Sequence, residues 1–321
     1  MTRIVAALSW LRTQAWLRRT VQWAVILVPL AYVFHSLSTN WQALTEYDWQ
    51  PNAATVLGAL LSLMLARSLL AVASQHALSA VGASLDALAV FRGYHVSALS
   101  AYLPGGLYVG RPVVFAEHGV DAVTTTVAIM VEQSVVVLSG MLGSVPYLLF
   151  AGVAVWSRLR LLILLPIPLL LMLLWPDLTN RALRWLLARI GHSDKSVNLT
   201  AAHVTKMLLL DAGSWLLTGA GFTLLVSGVY ALPSRLIPVV ASANCLAGVI
   251  SLTVALTPAG LGVHEGAVVL LLSPLLPAPL PALLAIVSRL WSTVARVCLW
   301  AVGMLLGQHS EDCMGSNGEG P

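Results

Sequence analysis

Long apolar runs constrain this chain more than any other feature of its sequence. Residues 53–75 form one such run, and Arg67 is the only charged residue inside it. A membrane hydrocarbon core of about 30 Å needs about 20 apolar residues per helix, so a run of this length predicts a membrane-spanning helix. The sequence shows no alternating ten-residue pattern of barrel strands, and lipid offers backbone groups no hydrogen bonds. The predicted fold class is therefore all-α, a polytopic helical membrane protein.

Composition supports the same class. The 321 residues are 58% hydrophobic and 9% charged, with a mean hydropathy of +0.86, which excludes an ordinary soluble domain. The net charge of +4 comes mainly from arginine, because Lys195 and Lys206 are the only lysines. In a membrane protein such an excess marks cytoplasmic loops rather than nucleic-acid binding. The three cysteines suggest neither a disulfide framework nor a metal site, and no cofactor is expected.

The apolar runs predict seven or eight spans within one transmembrane domain at 21–307. Residues 1–20 are basic and predict an interfacial helix on the cytoplasmic side, and residues 308–321 predict a disordered tail. The expected location is the cell (cytoplasmic) membrane. The individual runs are 21–37, 53–75, 122–156, 161–175, 207–229, 235–256 and 280–306.

Residues 122–156 allow two topologies, one span with an interfacial turn or two spans. The choice decides on which side of the membrane the basic segment 176–206 lies. We favour one span, because the five basic residues of that segment then lie inside, and they outweigh Arg158 and Arg160, which lie outside. Within that segment, arginines and leucines alternate at helical spacing over 176–190. This pattern predicts an amphipathic helix on the cytoplasmic surface.

Two short segments interrupt the hydrophobic pattern in matching ways. LPGGLYVGR aligns with TPAGLGVHE at a constant offset of 154 residues, which also aligns Ser97 with Ser251 and Arg111 with Glu265. Proline removes a helix hydrogen bond and glycine permits a positive φ, so each segment predicts a broken or re-entrant helix at membrane depth. The alternative is a pair of simple turns at the membrane edge. The helix-breaking residues of this internal repeat, near 97–111 and 251–265, are Pro104, Gly105, Gly106, Pro258, Gly260 and Gly262.

Charged residues inside the membrane pattern predict a network. Each half of the chain has one charged residue in its motif and a residue of opposite charge in the helix that follows. Glu132 follows Arg111 in the first half, and Arg289 follows Glu265 in the second. An unpaired arginine at a helix centre costs roughly 2.5–3.5 kcal/mol on insertion scales, so these arginines must be paired, hydrated or liganded. Asp211 is expected to lie too near the start of its span to help. The predicted headgroup and charge network is Arg67, Arg111, Glu132, His264, Glu265, Arg289 and Arg296.

Alternative interpretations stay open for several members of this network. Arg67 and Arg296 could reach the membrane surface by snorkelling, and the other pairs could be purely structural. His264 is either a pH-sensitive replacement for a fixed positive charge or a hydrogen-bonded neighbour of Glu265.

At these motifs the chain resembles the transmembrane-region family of lysylphosphatidylglycerol synthases, the flippase-like domain family. The resemblance rests on AYLPGGLYVGR, Glu132, NCLAGVISLTVALTPAGLGVHEG and the closing helix ALLAIVSRLWSTVARVCLW. The family form of the second motif is PGGLGVREG, from which this chain departs at Ala259 and His264. The resemblance implies a translocator of charged lipids in glycan or polyprenyl-linked pathways. Aminoacyl transfer is not expected, because only a short tail follows Leu306.

The leading function is therefore translocation of an anionic phospholipid, glycolipid or polyprenyl-phosphate-linked lipid, with membrane lipids as partners. In this hypothesis Arg111 and Arg289 hold the phosphate, whereas Glu132 and Glu265 neutralise them in the empty state. One alternative is an accessory subunit of a membrane glycosyltransferase. A second is an intramembrane lipid-modifying enzyme that uses His264 and Glu265, with His95 and His118 as remote partners, although no catalytic motif supports it.

Overall fold

A computed structural model describes residues 38, 41, 52–102, 105–150, 175–189, 191–192, 195, 197–253 and 260–315, with side chains to residue 306. In these residues the chain is all-helical and contains no strand. The predicted interfacial helix, the first span, the run at 161–174, and both motif prolines lie outside the described residues. The ten helices found in this part of the chain are α1 Ala53–Ala80, α2 Ala87–Ser97, α3 Leu107–Ala116, α4 Ala122–Gly143, α5 Val145–Phe150, α6 Pro176–Arg189, α7 Ala201–Ser227, α8 Ile237–Thr253, α9 Val263–Leu272 and α10 Leu280–Gly315.

Five segments of the described chain are long and apolar enough to cross a membrane. They are Ala53–Ala80, Ala122–Phe150, Ala201–Ser227, Ser234–Thr253 and Leu280–Leu306. Ala122–Phe150 is one candidate span, which corresponds to the favoured one-span interpretation of that region. The total of seven or eight spans includes undescribed residues and stays a prediction. At its end, α10 continues to residue 315, into the segment expected to be a tail.

The ends of the bundle are marked by polar residues that cap helices. Asn52 caps the start of α1 by accepting a hydrogen bond from the backbone N–H of Ala54 at 2.9 Å. Asp86, Asp121 and Thr200 cap α2, α4 and α7 in the same manner. Side-chain caps satisfy backbone N–H groups that a helix leaves unpaired at its start. They therefore place the beginnings of these helices outside the apolar region.

Two hydrophobic clusters lie at opposite ends of the helices. We call the end where α1 begins the first end, and the end where α1 finishes the second end. The first-end cluster joins the start of α1, at Ala59 and Leu63, to the end of α7 at Phe222. The second-end cluster joins the finish of α1, at Leu78, to the start of α7 at Val204. Helices α1 and α7 are thus antiparallel, and each runs from one end to the other.

The first broken segment forms a hairpin of α2 and α3, which we call the first hairpin (residues 87–116). Val90 and Phe115, near its two termini, both belong to the second-end cluster. At its turn, a 3-10 segment Ala98–Tyr102 follows α2, and the Ser100 hydroxyl donates a hydrogen bond to the Gly106 carbonyl at 2.9 Å. With only ten residues, α3 is about 15 Å long and too short to cross. The hairpin enters from the second end and returns to it.

The second broken segment forms a hairpin of α8 and α9, the second hairpin (residues 237–272). Val240 and Leu271, near its termini, both belong to the first-end cluster. Near its turn, Ser251 of α8 packs against Gly260. The termini of the two hairpins therefore lie at opposite ends, and α8, unlike α2, also forms part of a candidate span, Ser234–Thr253. Their short helices begin 156 residues apart, at Leu107 and Val263, whereas the sequence motifs are 154 apart.

Candidate functional site

The first charged pair joins the first hairpin to α4. Nη1 of Arg111 donates hydrogen bonds to both carboxylate oxygens of Glu132, at 3.0 and 2.8 Å. Both side chains are almost completely buried, at 3% and 1% exposure. The guanidinium also lies over the ring of Tyr94, 4.2 Å from its centroid, which adds a cation–π contact. Nη1 of Arg111 is thus engaged by Glu132, whereas its Nε is buried without a hydrogen-bond partner among the described residues.

The second charged pair joins the second hairpin to α10, and it is looser. Oε1 of Glu265 lies 3.4 Å from Nε of Arg289, whose side chain is 16% exposed. The other oxygen, Oε2, accepts a hydrogen bond of 2.7 Å from the backbone N–H of Gly262. Glu265 therefore caps the N-terminus of its own short helix, where the helix dipole also favours a negative charge. Part of its role is structural.

Arg289 contacts the turn regions of both hairpins. Besides Glu265 of the second hairpin, its guanidinium faces the ring of Tyr102 at 5.4 Å, and Tyr102 ends the 3-10 segment of the first hairpin. The hydroxyl of Tyr102 lies at hydrogen-bond distance, 3.0 Å, from that of Thr293 in α10. Arg289, on the closing helix α10, therefore contacts both broken segments.

Arg296 and Arg67 complete a group that we call the arginine cluster, namely Arg67, Arg289 and Arg296. The guanidinium of Arg296 lies 5.3 Å from the Tyr102 ring centroid, and its Nη1 is buried without a hydrogen-bond partner among the described residues. Arg67 of α1 and Arg289 both lie within electrostatic range of Arg296. Among the described side chains, Glu265 is the one carboxylate in an ion pair with this cluster. Within the described part of the chain, this cluster thus includes more arginines than ion-paired carboxylates.

The histidines of the predicted network and of the enzyme alternative mostly contact backbone and aromatic groups, and Nε2 of His95 is buried without a hydrogen-bond partner among the described residues. His264 makes a hydrogen bond with the backbone of Ala247 in the facing helix α8. His95 packs its ring against Phe91 and Tyr94, and His118 bonds the Val114 carbonyl at 3.3 Å. In the described part of the chain no three histidine, cysteine or acidic residues form a group that could hold a metal ion. The geometry gives the enzyme alternative no added support.

The sequence analysis expected Asp211 near the start of its span, and in the structure the residue is buried within α7. The residue is 1% exposed, and neither carboxylate oxygen has a hydrogen-bond partner among the described residues. The helix also begins earlier than expected. The span was expected from residue 207, but Thr200 and His203 form a capping box that begins α7 at Ala201. Asp211 lies about 15 Å along α7 from Ala201.

Two aromatic residues of the site were also missed, Tyr94 and Tyr102. Both lie in the predicted re-entrant region, but their arginine partners are on other elements. No family model matches the chain, and no curated protein matches it in sequence. The resemblance to the flippase-like domain family accordingly stays a prediction that rests on the motifs quoted above.

Proposed function

We propose that this protein is a lipid translocase whose arginine cluster binds the anionic headgroup of a phospholipid, glycolipid or polyprenyl-phosphate-linked lipid. The observation that carries the proposal is the contact of Arg289 with both hairpins, Tyr102 on one and Glu265 on the other. A headgroup bound there would touch both broken segments at once. Its binding would therefore bias how the two hairpins are held together.

The charges of the arginine cluster favour an anion as the ligand. Arg289 is paired with Glu265, whereas Nη1 of Arg296 is buried without a hydrogen-bond partner among the described residues, and an unpaired cation at membrane depth is costly. A phosphate relieves this cost, because guanidinium forks bind phosphate oxygens in a bidentate manner. We assign Arg111 a different role from the one expected from the sequence. Its bidentate, buried pair with Glu132 supports a fixed structural contact rather than headgroup binding.

The opposite entry of the hairpins supports transport over simple binding. Many transporters are built from inverted repeats with discontinuous helices, and their substrate sites lie at the repeat interface near the membrane centre. Here the first hairpin enters from the second end and the second hairpin enters from the first end. We infer that α2–α4 and α8–α10 are two inverted repeats, with the arginine cluster between them.

A leaflet-resolved assay in proteoliposomes tests the proposal. The purified protein is reconstituted with fluorescent anionic lipids, and a zwitterionic lipid serves as the comparison. Arg296→Gln should slow movement of the anionic lipid at least tenfold, because it removes a headgroup contact without breaking an observed ion pair. Arg235→Gln is the matched control, since Arg235 is exposed at the start of a span, and it should move lipid normally.

The outcomes separate the three function classes. Movement by the protein alone, without a change in lipid mass, supports translocation. A change in lipid mass would show an enzyme instead. Lipid movement that appears only with a co-purified glycosyltransferase would show an accessory subunit. Normal movement by Arg296→Gln would refute the headgroup assignment.

A further inference from the structure

Asp211 is a buried acidic group that the proposed headgroup site does not use. It lies on the candidate span α7, and the residue is 1% exposed. Neither Oδ1 nor Oδ2 has a hydrogen-bond partner among the described residues. An ionised carboxylate in such a place has lost its hydration without gaining any hydrogen bond. Under these conditions a carboxyl group becomes neutral by binding a proton.

The charges nearest to Asp211 also favour its neutral form. Glu132 of α4 lies within electrostatic range, and a second negative charge beside it would be repelled. Nη1 of Arg111 already donates to both oxygens of Glu132, so this nitrogen is engaged by one of the two acids. Tyr94 of α2 lies within electrostatic range of both acids.

Other elements that pack against α7 supply mainly cations and thiols. Among the charged groups on these elements, Glu132 has the strongest electrostatic effect on Asp211. On α7 itself, His203 and Lys206 lie toward the second end, away from the membrane centre. The titratable and charged groups with described side chains on the four helices that pack against α7 are Glu132 from α4, Arg67 and His76 from α1, Cys245 from α8, and Arg289, Arg296 and Cys298 from α10.

We propose that Asp211 is a proton-binding site at membrane depth, whose charge state controls the Arg111–Glu132 pair between α3 and α4. In this conformation Asp211 is a neutral carboxylic acid. When water reaches it, the O–H bond breaks, the carboxylate keeps the electron pair and the proton passes to water. Two carboxylates then lie beside one committed arginine, which weakens the attachment of the first hairpin to α4. A proton thereby becomes a coupling ion, a step that rests on the proposed lipid movement.

Infrared spectroscopy of the full chain in lipid nanodiscs tests the protonation directly, without any transport. The protein at neutral pH should show the C=O stretch of a protonated carboxyl group. The band should disappear in Asp211→Asn and remain in Asp121→Asn, a matched change at an exposed aspartate that is paired with Lys195. Absence of the band from the unmodified protein, or its persistence in Asp211→Asn, would overturn the assignment.

A second measurement covers the case in which Asp211→Asn does not fold. Unmodified protein grown with carbon-13 aspartate should show the same band at lower frequency, and an unshifted band would exclude an aspartate. Lipid movement with and without a pH gradient then tests coupling. Movement that responds to the gradient in the unmodified protein but not in Asp211→Asn supports coupling, whereas equal movement in both refutes it. If no lipid moves, the proposed function fails while the infrared result still decides the proton site.

Discussion

At the scale of single residues, the Arg111–Glu132 pair should dominate the energetics of the first hairpin. Glu132→Gln leaves a guanidinium that is 3% exposed without its counter-charge. Removing one partner of a buried pair costs about 3–5 kcal/mol, so this variant should unfold at a clearly lower temperature in detergent. Glu265→Gln should cost less, because its partner Arg289 is 3.4 Å away and partly exposed.

A double variant separates a structural pair from a functional one. Arg111→Met with Glu132→Leu removes both charges and fills similar volumes, so the melting temperature should recover most of the loss. If the double variant regains stability and moves lipid, the pair only stabilises the fold. If it regains stability without transport, the charges act in the transport cycle. A double variant no more stable than Glu132→Gln would contradict the pairing energetics.

Asp121 provides a residue-scale prediction about pH. Burial is the largest single effect and opposes ionisation, but hydrogen bonds from Lys195 and Thr124 and the charge of Lys195 together outweigh it and hold the pKa of Asp121 well below its ordinary value. A lowered pKa contributes stability that is complete above the unfolded-state value of about 3.9 and is lost as the pH falls further. The stability difference between the protein and Asp121→Asn should stay constant from neutral pH to about pH 5 and shrink below about pH 4.

The matched variant Asp121→Ala isolates the cap. Asparagine can still accept hydrogen bonds from the backbone N–H groups of Val123 and Thr124, whereas alanine cannot. Asp121→Ala should therefore cost about 1 kcal/mol more than Asp121→Asn at every pH. Equal melting temperatures for the two variants would show that the cap contributes nothing. The ion pair itself is exposed, so added salt should reduce its small contribution.

At the scale of elements, the two hairpin turns depend on glycines in the left-handed region. Gly105 and Gly260 both have a φ of +68°. An added Cβ meets nothing within 4 Å at Gly105, but at Gly260 it meets the side chain of Ser251. Gly105→Ala should cost about 1–2 kcal/mol from backbone strain alone, and Gly260→Ala should cost more. Ser251→Ala should partly rescue Gly260→Ala and not Gly105→Ala, which a double-mutant cycle of melting temperatures measures.

These elements also show how far sequence reasoning reaches. The breaks near Gly105 and Gly260 were predictable, because proline and glycine leave a local signal that does not depend on neighbours. The start of α7 was not, because a polar capping box rather than hydropathy begins that helix. The place of Tyr102 in the site was also not predictable, because Thr293, the partner of its hydroxyl, is 191 residues away in sequence. Contacts of that range depend on how the hairpins dock.

At the scale of the whole molecule, the all-helical class was predictable from the sequence, and so was the presence of one acidic and one basic residue in each half of the chain. It could not predict that the hairpins enter from opposite ends, since the motifs LPGG and TPAG look alike in either orientation. That arrangement is visible only in the clusters, where Phe115 packs at one end and Leu271 at the other. The two pairs also have opposite order along the chain, since the motif supplies the base in Arg111–Glu132 and the acid in Glu265–Arg289.

Cysteine labelling of single positions tests this arrangement in cells. Asn52 and Ser234 precede segments that begin at the first end, whereas Asp86 and Asn198 precede helices that begin at the second end. In a background without Cys245, Cys298 and Cys313, a membrane-impermeant thiol reagent should label cysteines at one of these pairs in intact cells. The other pair should react only after permeabilisation.

Because the basic segment 176–206 favours the cytoplasm, we expect Asp86→Cys and Asn198→Cys to be the protected pair. Labelling of Asp86→Cys together with Ser234→Cys would contradict the opposite entry of the hairpins, and with it the inverted repeat on which the proposed transport depends.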